Sequence, residues 1–209
     1  MSTIRIVGGV WRRTPLVVAD RPGLRPTPDR VRETLFNWLG QDLAGRRVLD
    51  AFAGSGALGL EAASRGARRV VMVESDRAAA LAIARLLERL RGSADAASRT
   101  AAEAVELRRE DVRRALPALA AAGERFDLVL LDPPFGEDWL ARILPALPPL
   151  LEDGARIYVE SGAEVDADAL SAALPPGAGR LHSLRLGRAG QVHYHLLEYR
   201  QTPLPDPRT

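Results

Sequence analysis

The stretch Leu49-Asp50-Ala51-Phe52-Ala53-Gly54-Ser55-Gly56-Ala57-Leu58-Gly59 decides how the rest of the chain is read. Arg47 to Asp50 has the pattern of a short strand, and Gly56 to Arg65 that of a helix stopping at Gly66. Gly54, Gly56 and Gly59 spell Gly-x-Gly-x-x-Gly across the turn between them. That spacing alone is common in strand–helix turns. Its physics is nonetheless clear: glycines let the backbone pass close to a ligand, and the helix start offers unused N–H groups.

Outward from this turn, short β-branched runs alternate with helical stretches. Arg69 to Glu74 reads as a strand, Asp76 to Arg91 as a helix, Val105 to Arg108 as a strand and Asp111 to Ala122 as a helix. Phe126 to Leu131 is nearly all apolar, as a strand covered on both faces should be. Asp138 to Leu151 is expected to be helical, with Pro145 interrupting or ending it. Ala155 to Glu160 reads as a fifth strand, and the alternation predicts an α/β fold with a parallel sheet flanked by helices. His182 to Leu186 and Gln191 to Tyr199 then read as a closing antiparallel hairpin turning at Gly187-Arg188-Ala189-Gly190. A helix is expected from Pro28 to Leu39 with Thr27 as its cap. Residues 92–104 look like a surface loop or a frayed helix end.

The composition narrows the function classes. The chain has 209 residues and no cysteine, which excludes disulfides, thiolate metal sites and a cysteine nucleophile. It has no apolar run long enough to span a membrane and no secretory leader pattern, so a cytoplasmic protein is expected. Every basic side chain is arginine. Residues 1–47 hold nine arginines against four acids, a net of +5, whereas the remainder holds 20 against 23. A basic arm on a mildly acidic body suggests a polyanionic partner met by the arm. The organisation expected is a basic arm and helix over 1–40, an α/β domain over 41–200 and a flexible tail over 201–209.

Glu74 ends the second strand, where an acid can accept from both hydroxyls of a ribose. Asp111 follows the third strand, where it could meet an adenine amino group or cap a helix. Two cofactors fit these features, a nicotinamide dinucleotide and S-adenosylmethionine. Asp50 separates them, because a carboxylate at the start of the turn repels a pyrophosphate and suits a cationic ammonium and sulfonium. Phe52, Ala53, Gly54, Gly56, Ser75 and Val112 complete the candidate cofactor set.

The fourth strand ends in Asp132-Pro133-Pro134-Phe135. Two prolines fix the backbone and remove two N–H donors, leaving carbonyl oxygens and the Asp132 carboxylate as acceptors. That lining suits an NH₂ group, and Phe135 can stack on the base that carries it. His193 and His195 alternate along one strand face, but no carboxylate cluster or third ligand accompanies them, so no metal is expected.

These motifs together resemble the bacterial 16S rRNA guanine-N2 methyltransferases of the RsmD type. The matching stretches include Gly23-Leu24-Arg25-Pro26-Thr27, Asp29-Arg30-Val31-Arg32-Glu33-Thr34-Leu35-Phe36-Asn37, the glycine turn, Asp132-Pro133-Pro134-Phe135 and Ala189-Gly190-Gln191-Val192. The resemblance implies a class I S-adenosylmethionine-dependent methyltransferase fold, Rossmann-like, with seven strands and an antiparallel last strand. It implies methylation of N2 of one guanine, the position known as guanine 966, in 16S rRNA of the assembling small ribosomal subunit. A monomer is expected. Carried over by residue, Asp132 to Phe135 bind the amine, and Arg5, Arg12, Arg13, Arg25, Thr27, Arg30 and Arg32 meet the RNA. Two alternatives stay open: an adenine-N6 methyltransferase acting on DNA or RNA, and a non-catalytic RNA-binding assembly factor on the same fold.

Overall fold

The computed structural model describes residues 2–18, 29–134 and 138–201. Arg25, Thr27 and Phe135 therefore lie outside the described residues. The chain opens with an antiparallel pair, β1 (Ser2–Arg5) and β2 (Pro15–Val18), followed by helix α1 (Asp29–Leu39). The body then runs β3 (Arg47–Asp50), α2 (Ala57–Ser64), β4 (Arg69–Val73), α3 (Arg77–Arg91), α4 (Ala96–Glu103), β5 (Val105–Arg108), α5 (Val112–Ala121) and β6 (Phe126–Leu131). It closes with α6 (Trp139–Ile143), β7 (Leu151–Ser161), α7 (Ala167–Ala172), β8 (Arg180–Ala189) and β9 (Val192–Arg200).

The seven strands of the body form one sheet in the order β5-β4-β3-β6-β7-β9-β8. β3 to β7 are parallel, and the last strand, β9, slots antiparallel between β7 and β8. The chain builds outward from β3 to β5, then returns to pair β6 on the other side of β3. That reversal leaves a crevice beyond the carboxyl ends of β3 and β6, where ligands bind in open α/β sheets.

Each face of the sheet carries a core. Val48, Val70, Met72, Leu128, Leu130 and Tyr158 pack under α2 and α3 on one face. Leu49, Val71, Val129 and Ile157 pack under α5 and the segment after α6 on the other. α2 is buried on every side, including Glu61 and Ser64, which explains its lack of a polar stripe. α3 instead buries Ala80, Ile83, Leu87 and Leu90, spaced at three or four residues, and exposes its arginines. Asp76 caps its first turn by accepting from the Ala79 N–H at 2.8 Å.

The arm shares the body's core: Ile6, Trp11, Leu16, Val31, Leu35 and Phe36 pack with α2. Hydrogen bonds pin it as well. The Trp11 N–H donates to Ser64 Oγ and the Trp11 indole to Ser98 Oγ, each at 2.9 Å.

Three expectations change. Residues 92–104 contain helix α4, started by Asp95, whose carboxylate accepts from the Ser98 N–H at 2.8 Å. The helix expected over 138–151 is only the short α6, followed by two single 3₁₀ turns at Leu144–Ala146 and Pro148–Leu150. Pro145, Pro148 and Pro149 lack the N–H groups that a continuous helix needs. In the closing hairpin the strands run on through Gly187 to Ala189, and the reversal falls at Gly190 and Gln191.

Candidate active site

The candidate residues gather at the carboxyl ends of the parallel strands because the sheet register puts them there. Asp50 closes β3, Glu74 follows β4, Asp111 follows β5 and Asp132 follows β6. Asp50 pairs with Met72 on one side and Leu130 on the other, so the glycine turn sits between the two strand ends that follow.

Asp50 is buried, with 1% of its surface exposed. Its Oδ2 accepts from the Gly59 N–H at 2.9 Å, while Oδ1 is buried with no hydrogen-bond partner. Burial pushes its carboxyl up to about 7, against the pull of the Gly59 and Phe52 N–H groups and with a push from nearby Glu74. Gly59 keeps this contact short, since a Cβ there would stand 2.9 Å from Asp50 Oδ2 and 2.8 Å from Met72 Cγ. Gly54 has φ +54° and would aim a Cβ into open space. The turn thus presents an open cradle beside a buried carboxylate oxygen that lacks a donor. That pairing fits a cationic ammonium-bearing cofactor and disfavours a pyrophosphate.

Glu74 braces the same turn. Its Oε2 accepts from the Gly54 N–H and its Oε1 from the Asp76 N–H, both at 2.6 Å. Ala53 is buried and its N–H donates to the Val73 carbonyl at 2.9 Å, tying the turn to β4. Ser75 is exposed at the rim. Asp111 caps α5 by accepting from the Arg113 N–H at 2.8 Å. Its carboxyl lies below the usual range, chiefly because the Arg113 side chain donates to it. Val112 buries its side chain in the core under α5.

An aromatic wall stands beside the turn, built from the expected Phe52 and from Trp139, which sequence reasoning missed. The Phe52 and Trp139 rings meet edge-on, 5.5 Å apart at 69°. The Arg113 and Arg142 guanidinium groups each lie 5.5 Å from the Trp139 ring. Trp139 opens α6 just after the Asp-Pro-Pro segment, a placement that a stacking role for an aromatic could have suggested.

On the acceptor side, Pro133 is buried and Pro134 exposed at the Asp-Pro-Pro rim that follows β6. Next door, two further unpredicted residues lie under this rim. Tyr158 is fully buried and its hydroxyl donates to Glu160 Oε1 at 2.8 Å.

The arginines of the arm divide. Arg5, Arg12, Arg13 and Arg30 are exposed. Arg32 is not available to RNA: its side chain is fully buried, paired with Asp29, donating to the Arg5 carbonyl at 2.8 Å and lying 3.8 Å from Glu61. The expected RNA contact at Arg32 is thereby corrected to an internal tie. Helix α1 turns this position inward beside Val31, Leu35 and Phe36. Glu61, which no sequence motif marks, also accepts from the Val7 N–H at 2.8 Å and from both Nε and Nη2 of Arg65.

Among the described residues no group of three or more His, Asp or Glu side chains could hold a metal ion. His195 is buried and its Nε2 accepts from the Val165 N–H at 3.3 Å. No helix among the described residues is long and apolar enough to cross a membrane.

Comparison with known proteins agrees with this geometry. Residues 4–198 match the family model described as conserved hypothetical protein 95. Ribosomal RNA small subunit methyltransferase D of Escherichia coli is 40% identical over 198 residues, which span 93% of this chain and 89% of that protein. The solved structure of the yhhF protein of Escherichia coli superposes with a TM-score of 0.74 at 35% identity, covering 95% of this chain and 99% of that one. An RNA methyltransferase from Salinibacter ruber, solved with S-adenosyl-L-homocysteine, shares the fold at 18% identity and a TM-score of 0.52, covering 88% of this chain and 100% of its own. The fold is that of the class I S-adenosylmethionine-dependent methyltransferases, and the chain belongs to the family described as conserved hypothetical protein 95, with ribosomal RNA small subunit methyltransferase D among its relatives.

Proposed function

We propose that this protein is a methyltransferase that carries the methyl group of S-adenosyl-L-methionine to the exocyclic N2 of a guanine in 16S rRNA, the guanine 966 type of position. The substrate is the assembling small ribosomal subunit in the cytoplasm, met by a monomer. One observation carries the reading: a buried carboxylate with an unmet oxygen lies beside an open glycine cradle, one strand away from an Asp-Pro-Pro rim.

The cofactor supplies a methyl group on a cationic sulfur that is ready to leave. Asp50 would hold its ammonium end, Gly54 and Gly56 would let the backbone approach, and Glu74 would face its ribose. The rest is positioning by the chain's own groups. An exocyclic base amine is a poor nucleophile because its lone pair is delocalised into the ring. The Asp132 carboxylate and the carbonyl oxygens beside the prolines accept its two N–H bonds. Those interactions favour a more tetrahedral nitrogen and aim its lone pair along one direction. Phe135 stacks on the ring, which has to be turned out of its RNA helix to reach the rim. The arginines Arg5, Arg12, Arg13, Arg25 and Arg30 contact phosphates, and Thr27 also meets the RNA.

The test is transfer of labelled methyl groups to small subunits lacking the modification, with duplex DNA and free adenine-containing RNA in parallel. Label on one guanine of the subunit is expected, with Asp132→Ala losing transfer by at least about a hundredfold while retaining cofactor binding. Label on adenine alone would overturn the base assignment, and absence of cofactor binding would favour a scaffold.

A further inference from the structure

Strand β7 brings a second carboxylate to the acceptor side of the site. Leu130 pairs with Tyr158 and Leu131 with Val159, so one further step sets Glu160 level with Asp132. Adjacent strands lie about 4.8 Å apart. Residues two apart on a strand share a face, which places Tyr158 and Glu160 on the face of Leu130 and Asp132. Tyr158 is hydrogen-bonded to one acid and feels the charge of the other. Its hydroxyl donates to Glu160 Oε1 at 2.8 Å. Burial first, then the charges of Glu160 and Asp132, hold that hydroxyl well above its ordinary range.

The surroundings fix Glu160 in place. It is 2% exposed and pairs across β9 with Tyr194, whose ring packs 5.4 Å from that of Trp38 on α1. Gly187 makes room for the Tyr194 ring, since a Cβ there would come within 2.3 Å of it. Burying a carboxylate is costly unless its partners compensate. Glu160 stands one residue before the end of β7, level with the Asp132 end of β6.

We propose that Glu160 selects guanine, accepting the N1–H of the target base while Asp132 holds the adjacent N2 amine; this rests on the guanine-N2 reading above. An ionised carboxylate can only accept hydrogen bonds. Guanine sets a donor at N1 beside its donor amine. Adenine sets a bare lone pair at N1 beside its amine. Two carboxylates side by side therefore match guanine and repel adenine. Bases turned out of RNA are read along this edge. A site built to pair with a donor rejects an analogue lacking it far more steeply than an apolar pocket rejects a missing methylene.

The analogue that isolates this interaction is 2-aminopurine, which keeps the C2 amine but has no hydrogen on N1. Small subunits reconstituted with guanine or 2-aminopurine at the target would be assayed with wild type, Glu160→Gln, Glu160→Asp and Tyr158→Phe. Wild type should favour guanine by at least about a hundredfold in kcat/KM. Glu160→Gln, whose amide can also donate to a bare N1, should shrink that ratio by about tenfold or more. Glu160→Asp should keep the preference at a lower rate, and Tyr158→Phe should narrow it by a few-fold. Melting and cofactor binding report folding. A ratio unchanged in Glu160→Gln or, should that variant not fold, in Tyr158→Phe overturns the inference while the guanine reading stands. Wild type that labels no guanine-bearing subunit overturns that reading, and the inference with it.

Discussion

Two regions of this molecule, the end of β3 and the underside of α2, each turn on a buried carboxylate, yet they treat it in opposite ways. Glu61 accepts from the Val7 N–H and two Arg65 nitrogens, and the Arg32 guanidinium stands 3.8 Å away as an ion-pair partner. Asp50, eleven residues earlier, has the Gly59 N–H on Oδ2 and the Phe52 N–H close by, but no completed hydrogen bond on Oδ1. A buried acid whose acceptors are met joins pieces of chain together. One left short of donors at the mouth of a crevice keeps a place for a ligand, at a cost to the empty fold.

The largest effect that tests this contrast belongs to Glu61. Glu61→Ala removes the carboxylate from beside two buried guanidinium groups and should lower stability by about 3–5 kcal/mol, measured by chemical denaturation. A loss under about 1 kcal/mol would remove the distinction. Asp50→Asn should do the reverse. Stability near neutral pH should hold or rise, while the Kd for S-adenosylmethionine increases about tenfold or more.

The pH dependence sharpens the same point. Asp50 titrates near 7 in the fold, against a usual 3.8. Between those values the folded chain holds a proton that the unfolded chain has released. The Asp50 contribution to stability therefore falls as pH rises through that window. A cationic ligand favours the ionised form, so cofactor affinity should climb from about pH 6 to about pH 8 with proton release, and Asp50→Asn should flatten the climb. Calorimetry in buffers of different ionisation enthalpy reads both; a flat profile in wild type would count against the assignment.

The smallest effect concerns the arm's exposed surface. Arg12→Ala with Arg13→Ala should weaken binding to small subunits a few-fold. The log–log salt slope should become shallower by about one for each phosphate that is no longer neutralised. An unchanged slope would take both residues off the RNA.

Much of this is readable from the chain because local chemistry and global fold agree. The glycine turn announces itself by spacing, and Asp-Pro-Pro by what it removes from the backbone. The errors fall where a distant part of the chain decides. α4 buries only Ser98, Ala101 and Ala102, too weak a stripe to see, and the Trp11 indole anchors it from the arm. Arg32 counts by sequence as one more basic residue in an arginine-rich arm; only α1 seated against α2 shows that it faces Glu61. Glu160 is visible as the end of a strand, but its significance lies in the register with β6, which no single segment carries. The prolines after α6 are legible, yet their number decides that the expected helix becomes a pair of tight turns.

The hydrogen bond from Trp11 to Ser98 joins residues 87 positions apart. During synthesis the first strands leave the exit tunnel long before their anchor exists. That contact can close only once Ser98 has emerged, well after the arginines of the arm have left the tunnel.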